Sequence, residues 1–229
     1  MNHCTSAIQL NDCGLCCLVH HKYEEAAVFF RDALAVIRED VMRQDHQQHF
    51  KIPSREEQAR LQYECIDLEF YEATQTNQRF RNQTGFNDPV ISKTALSIRD
   101  DEGGYTNILS ALIYNLAITN HLWGLQKGST EVLEKALRLY EIASSSYVQQ
   151  GEDTSGPYLS ISLSILNNVA SIHSVIGNHT EEVKYLHQLL SAMSYCDKSE
   201  SITTGKSWKA CWSNVLTLLM PPPSTASAA

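Results

Sequence analysis

The sequence predicts a mostly α-helical protein: antiparallel helical hairpins stacked as an α–α superhelix, a small β-ribbon or irregular insertion, and a C-terminal capping helix. Three observations lead there. Apolar residues recur at three-and-four spacing over most of the chain, the signature of one buried helical face. Short turn signals at Gln126-Lys127-Gly128-Ser129 and Ile176-Gly177-Asn178 split that pattern into antiparallel pairs. One long interruption, residues 39–105, loses the helical period and in places alternates instead.

Residues 7–38 form the first hairpin, with Tyr23-Glu24-Glu25-Ala26 opening its second helix. In the insertion, 43–60 is polar and reads as a linker. Residues 64–71 (ECIDLEFY) set Ile66, Leu68 and Phe70 against Asp67, Glu69 and Tyr71, which argues for a half-buried strand. A helical reading through Ala59, Tyr63, Ile66, Phe70 and Ala73 stays open. Residues 90–98 (VISKTALSI) are β-rich and suited to pair with that strand. A two-stranded ribbon is marginal alone, so it should lean on neighbouring helices.

Residues 107–147 form the central hairpin. Leu109, Leu112, Ile113, Leu116 and Ala117 stripe its first helix; Leu133, Ala136, Leu137, Tyr140 and Ala143 stripe its second. Ser129 or Thr130 caps the second helix, and Glu131 and Glu134 sit near its positive end. The third hairpin, 157–195, opens on Pro157, which suits a first helical turn. Its stripes are Leu159, Leu163, Leu166, Val169 and Ala170, then Val183, Leu186, Leu189, Leu190 and Met193. Residues 206–220 make a last amphipathic helix through Trp208, Cys211, Trp212, Val215, Leu218 and Leu219, stopped by Pro221-Pro222-Pro223. The expectation is a single domain, 1–220, with a disordered tail at 221–229.

In the first hairpin, Gly14 is followed by Ala26, Phe30 and Ala33: a small residue in one helix, then Ala-x3-aromatic-x2-Ala in the next. This resembles a tetratricopeptide repeat (TPR). The central hairpin resembles it through Ala117, Ala136, Tyr140 and Ala143, with seven extra residues assigned to its first helix and turn. Seven residues are almost two helical turns, so the apolar face keeps its phase. A longer hairpin with Trp123 near its tip should result. The third copy has decayed, with Glu182, Leu186 and Leu189 at the repeat's small, aromatic and alanine positions. Other departures are Leu10, Cys17 and Arg38 where the repeat favours Trp, Tyr and Pro. The resemblance covers the three hairpins, somewhat over half the chain.

The 229 residues carry a formal net charge of −8. No cluster of four or more Lys/Arg occurs, which disfavours general electrostatic binding to nucleic acid. Uninterrupted apolar runs reach only six or seven residues, so no membrane association is expected, and the N-terminus lacks the pattern of a secretory signal. Seven cysteines without regular spacing fit reduced thiols. The expected location is cytoplasmic, with the nucleus as an alternative.

Chemical motifs are few. Cys13, Cys16, Cys17 and His20 have the spacing of part of a zinc site, with His46 and His49 as distant completions. Against that, Cys13 and Cys17 fall on the expected packing face, where free cysteine is an ordinary small hydrophobe. Gly205-Lys206-Ser207 imitates the end of a phosphate loop, but Glu200 stands where a glycine is needed. No cofactor and no catalysis are expected. His173 and Asn120 read as hydrogen-bonded core polars.

The TPR resemblance implies a binding surface on the concave face, made by the first helix of each hairpin. On this chain it projects to Asn11, Leu15, Tyr114, Asn115, Ile118, His121, Asn167 and Ser171. Chaperone-binding TPRs grip a terminal carboxylate with Lys, Asn and Arg. Here Asn115 matches the asparagine, but Asn11, Leu15, Ser164 and Asn168 fill the other positions. The chaperone C-terminal carboxylate is therefore not an expected ligand. Uncharged Asn, Ser and Tyr suit an extended peptide backbone instead. The expectation is a non-catalytic adaptor or scaffold that holds a protein partner, as peptide or helix. A metal- or redox-responsive regulator using Cys13–His21 and a self-associating structural protein remain alternatives.

Overall fold

The structure is a computed structural model. It describes residues 3–45, 63–67, 90–98, 105–149, 156–196 and 206–219. Among these are seven helices and one two-stranded antiparallel ribbon: α1 (His3–Val19), α2 (Tyr23–Asp45), β1 (Tyr63–Asp67), β2 (Thr94–Ile98), α3 (Tyr105–Lys127), α4 (Thr130–Gln149), α5 (Gly156–Val175), α6 (His179–Cys196) and α7 (Lys206–Leu219). The architecture is mostly α. Two expected boundaries move. The first hairpin extends past Arg38 to Asp45, because Ile37 carries the stripe of Ala26, Phe30 and Ala33 one turn further into the core. Strand β2 begins at Thr94 rather than at Val90, and the proposed linker beyond Asp45, strand residues 68–71 and the tail 221–229 lie outside the described residues.

The chain divides into two compact units: Met1–Gly85 with Lys93–Tyr158, and Phe86–Ser92 with Leu159–Ala229. In the first unit α1 pairs with α2, α3 pairs with α4, and α2 packs on α3. Strand β2 pairs with β1 in the register Tyr63 opposite Ile98 through Asp67 opposite Thr94. It also packs against α1 and α3, the first helices of the two hairpins. In the second unit α5, α6 and α7 share one core. Leu163 and Ala170 of α5, Leu186, Leu189 and Met193 of α6, and Trp208, Cys211 and Val215 of α7 are buried together.

The three hairpin turns use one device. His21, Gly128 and Gly177 take positive φ, at 59°, 64° and 77°. Each donates its N–H to the carbonyl three residues back (Leu18, Leu125, Ser174), and the next residue donates to the carbonyl five back (Cys17, Gly124, His173). This is the Schellman ending, which satisfies helix-end carbonyls and needs a left-handed residue. Histidine is among the side chains that tolerate that region best after glycine and asparagine. The following residue then starts the second helix: Lys22, Ser129 and Asn178 accept from Ala26, Leu133 and Glu182. Ser129 is the cap of α4, its Oγ accepting from Val132 N–H at 3.4 Å.

Close approach within each hairpin follows from small residues. A Cβ on Gly14 would lie 2.6 Å from Phe30 Cε1, so this glycine leaves the space that Phe30 fills. In the central hairpin Tyr140 sits edge-on to both Tyr114 and His121, with centroids 6.1 Å away in each case. Those two flank Ala117 by about a turn on either side, which seats Tyr140 over Ala117. Two turns closer to the tip, Gly124 leaves room for Leu133, whose Cδ2 a Cβ would meet at 2.8 Å. The common turn also corrects where the seven extra residues go. Measured from it, four precede the turn and three follow, so each helix gains one turn.

Some side chains leave their expected stripe. Leu109 and Val183 are exposed, at 37% and 43%. Cys13, expected on the packing face, is exposed, and Cys17 is half-buried. The segment Ile108–Lys127 of α3 has the length and apolar content of a membrane span, although no uninterrupted apolar run is long. Its side chains are mostly buried among the other helices, as in a core helix.

Two glycine substitutions separate the two roles of glycine. Gly14→Ala should destabilise by about 1–3 kcal/mol through overpacking against buried Phe30. Its cost should shrink in the Phe30→Leu background, read as a coupling in a double-mutant cycle of urea unfolding. Gly177→Ala meets nothing within 4 Å. It should still cost about 1–2 kcal/mol, because φ is left-handed there.

Candidate functional site

An extended backbone buried against helices needs partners for its N–H and C=O groups. Here asparagine side chains supply them. In the first unit, Asn115 of α3 accepts from Leu96 N–H through Oδ1 at 2.8 Å and donates to Leu96 C=O through Nδ2 at 2.8 Å. The carboxamide thus pairs with one residue of β2 as a neighbouring strand would. Asn11 of α1 adds a donation to the same carbonyl at 3.2 Å, and its Oδ1 accepts from Asn115 Nδ2 at 2.8 Å. Both asparagines are fully buried, and the bonds fix their amide orientations.

The second unit repeats the arrangement. Asn168 of α5 accepts from Ser92 N–H at 2.8 Å and donates to Ser92 C=O at 3.0 Å. Asn214 of α7 accepts from Val90 N–H at 2.8 Å and donates to Val90 C=O at 2.7 Å. Asn167 donates to that carbonyl at 2.9 Å and accepts from Asn214 at 2.9 Å. Ser92 Oγ lies 2.8 Å from Ser164 Oγ. Val90 and Ser92 lie two residues apart, so in extended chain their backbone groups share one edge.

Of the eight residues projected from sequence, Asn11, Asn115 and Asn167 bond to this backbone. The others do not face outward as expected. Leu15, Tyr114 and Ile118 are core side chains. His121 is wholly buried against Tyr140. Ser171 is buried, and its Oγ has no hydrogen-bond partner among the described residues. Sequence reasoning placed Asn168 and Ser164 at carboxylate-gripping positions and so counted them as a loss of charge; they are backbone and side-chain partners of Ser92. Asn214 was missed. Its only sequence signal is a polar residue beside Val215 in an otherwise apolar stripe.

The remaining candidates have separate fates. Asn120 is buried and donates to Leu116 C=O of its own helix at 2.7 Å, and His173 stacks on Tyr185 with centroids 5.5 Å apart. Cys16 and His20 are exposed. Burial, then the neighbouring Cys16, push the Cys17 thiol up, which disfavours the thiolate needed by a metal or oxidant. The described residues contain no group of three His, Cys, Asp or Glu able to hold a metal ion. His46 and His49 lie outside them.

Comparison with known proteins found no matching family model, no matching curated protein and no matching solved structure.

Asn115→Ala should destabilise by about 1–3 kcal/mol, since it strands Leu96 N–H in a buried site. Asn115→Asp keeps the acceptor for that N–H but loses both donations and buries a charge, so its urea midpoint should fall at least as far. A second outcome concerns His121, whose ring nitrogens have no partner among the described residues and whose pKa burial lowers from 6.5 to about 3. The unfolded chain binds this proton first. The contribution is therefore complete above pH 6.5 and is lost as pH falls towards 3, with a limiting slope of about 1.4 kcal/mol per pH unit. Unfolding of wild type and His121→Leu between pH 7 and 4 should show a shallower acid loss in the variant.

Proposed function

We propose that this protein is a non-catalytic interaction module of TPR-like build, whose hairpins hold an extended segment of a protein partner. One observation carries the reading. Asn115 and Asn168 each take both backbone groups of one extended residue. They also stand two residues before the small residues Ala117 and Ala170, the same place in the repeat. A side chain recurring at one repeat position with one bonding role is what a built binding surface requires. The shared turn geometry and the Gly14–Phe30 contact support the repeat.

The chemistry favours an extended partner over a helical one. A helix has already used its interior N–H and C=O groups, whereas an extended strand offers both at every second residue. Neutral amides also suit the interior of a chain better than a terminal carboxylate, which would call for cations. They hold rather than transform: an amide neither titrates near neutrality nor attacks a carbonyl. The α7 helix, sharing its core with α5 and α6, then serves as a cap that contributes Asn214 to the grip. A cytoplasmic setting fits the free thiols of Cys13, Cys16, Cys17 and Cys211.

Affinity capture from native lysate tests the reading, using the full chain and an Asn168→Ala/Asn214→Ala variant with matched circular dichroism. Partners recovered by wild type should be lost from the variant. Equal recovery would move binding to another surface and remove the clamp from the proposal.

A further inference from the structure

We infer that Cys13 and Cys16 form half of a zinc site, completed by the same two thiols of a second copy of this chain. The site stands on the side of α1 away from Asn11 and is independent of what the asparagines hold.

Free cysteine is among the most buried residue types, because it packs as a small hydrophobe. Cys211 follows that rule, whereas Cys13 and Cys16 are both exposed. Packing accounts for neither thiol. From Thr5 to His20 the exposed residues are Gln9, Asp12, Cys13, Cys16, Val19 and His20. They recur at three-and-four spacing, so they share one face of α1 with Cys16 near its middle. Asn11, which donates to Leu96 C=O at 3.2 Å, stands two residues before Cys13, about 200° round the helix. The bond that ties α1 to β2 therefore leaves the thiol face open.

Spacing selects the chemistry. Side chains three apart on a helix have Cβ atoms about 5–6 Å from each other. A disulfide needs about 3.5–4.5 Å, so Cys13 and Cys16 cannot close one without bending α1. The helix is held there: a Cβ on Gly14, which lies between them, would meet Phe30 Cε1 at 2.6 Å. A metal ion spans the wider gap. Tetrahedral zinc, with Zn–S bonds of about 2.3 Å, holds two sulfurs about 3.8 Å apart, within reach of side chains leaning together from adjacent turns.

Two thiolates fill half of a structural zinc shell, which takes four ligands. Among the described residues no third His, Cys, Asp or Glu joins them. Burial, then the neighbouring Cys16, push the Cys17 thiol up, and burial raises the Asp12 carboxyl, which is hydrogen-bonded to Asn11. His20 starts about 10 Å further along the axis than Cys13. Outside residues 13–17, no two cysteines of the sequence stand within four residues of each other. A second exposed pair of the same spacing is present in a second copy. A two-fold axis through the metal brings the two pairs together, the commonest symmetry by which identical chains associate. Two chains and one zinc ion then form four Zn–S bonds, and the four thiol protons pass to solvent.

The test uses the full chain without a histidine tag, reduced with a phosphine and stripped with EDTA, and zinc chloride as the probe. Sedimentation should show a monomer that dimerises on adding zinc and reverts with EDTA, with one zinc bound per two chains. Cobalt(II) in place of zinc should give the intense visible bands of a tetrahedral tetrathiolate at the same ratio. Cys13→Ser/Cys16→Ser should lose both the bound metal and the dimer, with its urea midpoint matching wild type because both side chains are exposed. Cys17→Ser should keep both. Zinc bound one per chain to a monomer, or no bound zinc, overturns the inference. So does a zinc-dependent dimer that survives in the double serine variant, or a dimer that persists in EDTA and phosphine. The cobalt spectrum needs wild type alone and decides the case in which the serine variant fails to fold.

Discussion

A two-stranded ribbon leaves each strand with one unpaired edge, and burying such an edge is the problem this fold solves. Strand β2 pairs with β1 on one side and packs against α1 and α3. Leu96 points both its backbone groups at Asn115, so its pairing with Cys65 is the kind without direct backbone bonds. The ladder to β1 then falls to the residues on either side. Without a partner on the helical side, Leu96 N–H would be a buried orphan costing about 1–3 kcal/mol. A carboxamide is the one neutral side-chain group with a donor and an acceptor spaced as in a peptide. Asparagine is thus the residue that lets a strand edge lie against a helix.

Helix geometry explains why asparagine can stand where it does. Ala117 and Ala170 meet the second helix of their hairpins, Ala117 under Tyr140 and Ala170 beside Leu186 and Leu189. Two residues earlier is a rotation of about 200°, which turns Asn115 and Asn168 to the opposite face. One face of each helix therefore closes its hairpin, and the opposite face meets the extended segment at Leu96 or Ser92. In α1 the residue two before Gly14 is Asp12, which is exposed, and Asn11 beside it reaches Leu96 instead. Burial raises the Asp12 carboxyl against its hydrogen bond to Asn11. A carboxylate at the clamp itself would meet a carbonyl oxygen where Asn115 presents an N–H.

What the sequence made legible follows from locality. Stripes, turns and caps depend on residues within a few positions, so the seven helices could be placed from periodicity and two of the three turns from glycine, whereas His21 at the first turn gave no such signal. Helix ends could not: EDVMRQD is polar, yet it stays helical while Ile37 and the buried Asp40 hold the turn to the core. The phase of the repeat picked out Asn11, Asn115 and Asn167, but nothing local says they are covered. Their occupant is 77 or 85 residues away for Asn167 and Asn11. Asn214 was hidden because an amphipathic stripe is read for its apolar members. Tyr114 and His121 were placed outward by analogy, whereas standing about one turn either side of Ala117 puts them on the face that meets Tyr140.

Neutrality of the clamp has an energetic consequence that distinguishes it from ionic recognition. An ion brought out of water must recover several kcal/mol from its new partner, and if the partner leaves the charge must be rehydrated. Amides sit between these extremes. They bond well enough to hold an extended chain and lose little when water takes its place. Because they bond the peptide unit rather than a side chain, the hold on the segment grows with the number of residues bonded, and only the enclosed side chains are distinguished. Here those are Ile91 and Ser92 in the second unit and Leu96 in the first, all buried. The bonds these amides make therefore depend first on conformation, on an extended backbone with a free N–H such as that of Val90 and Ser92, and only then on sequence.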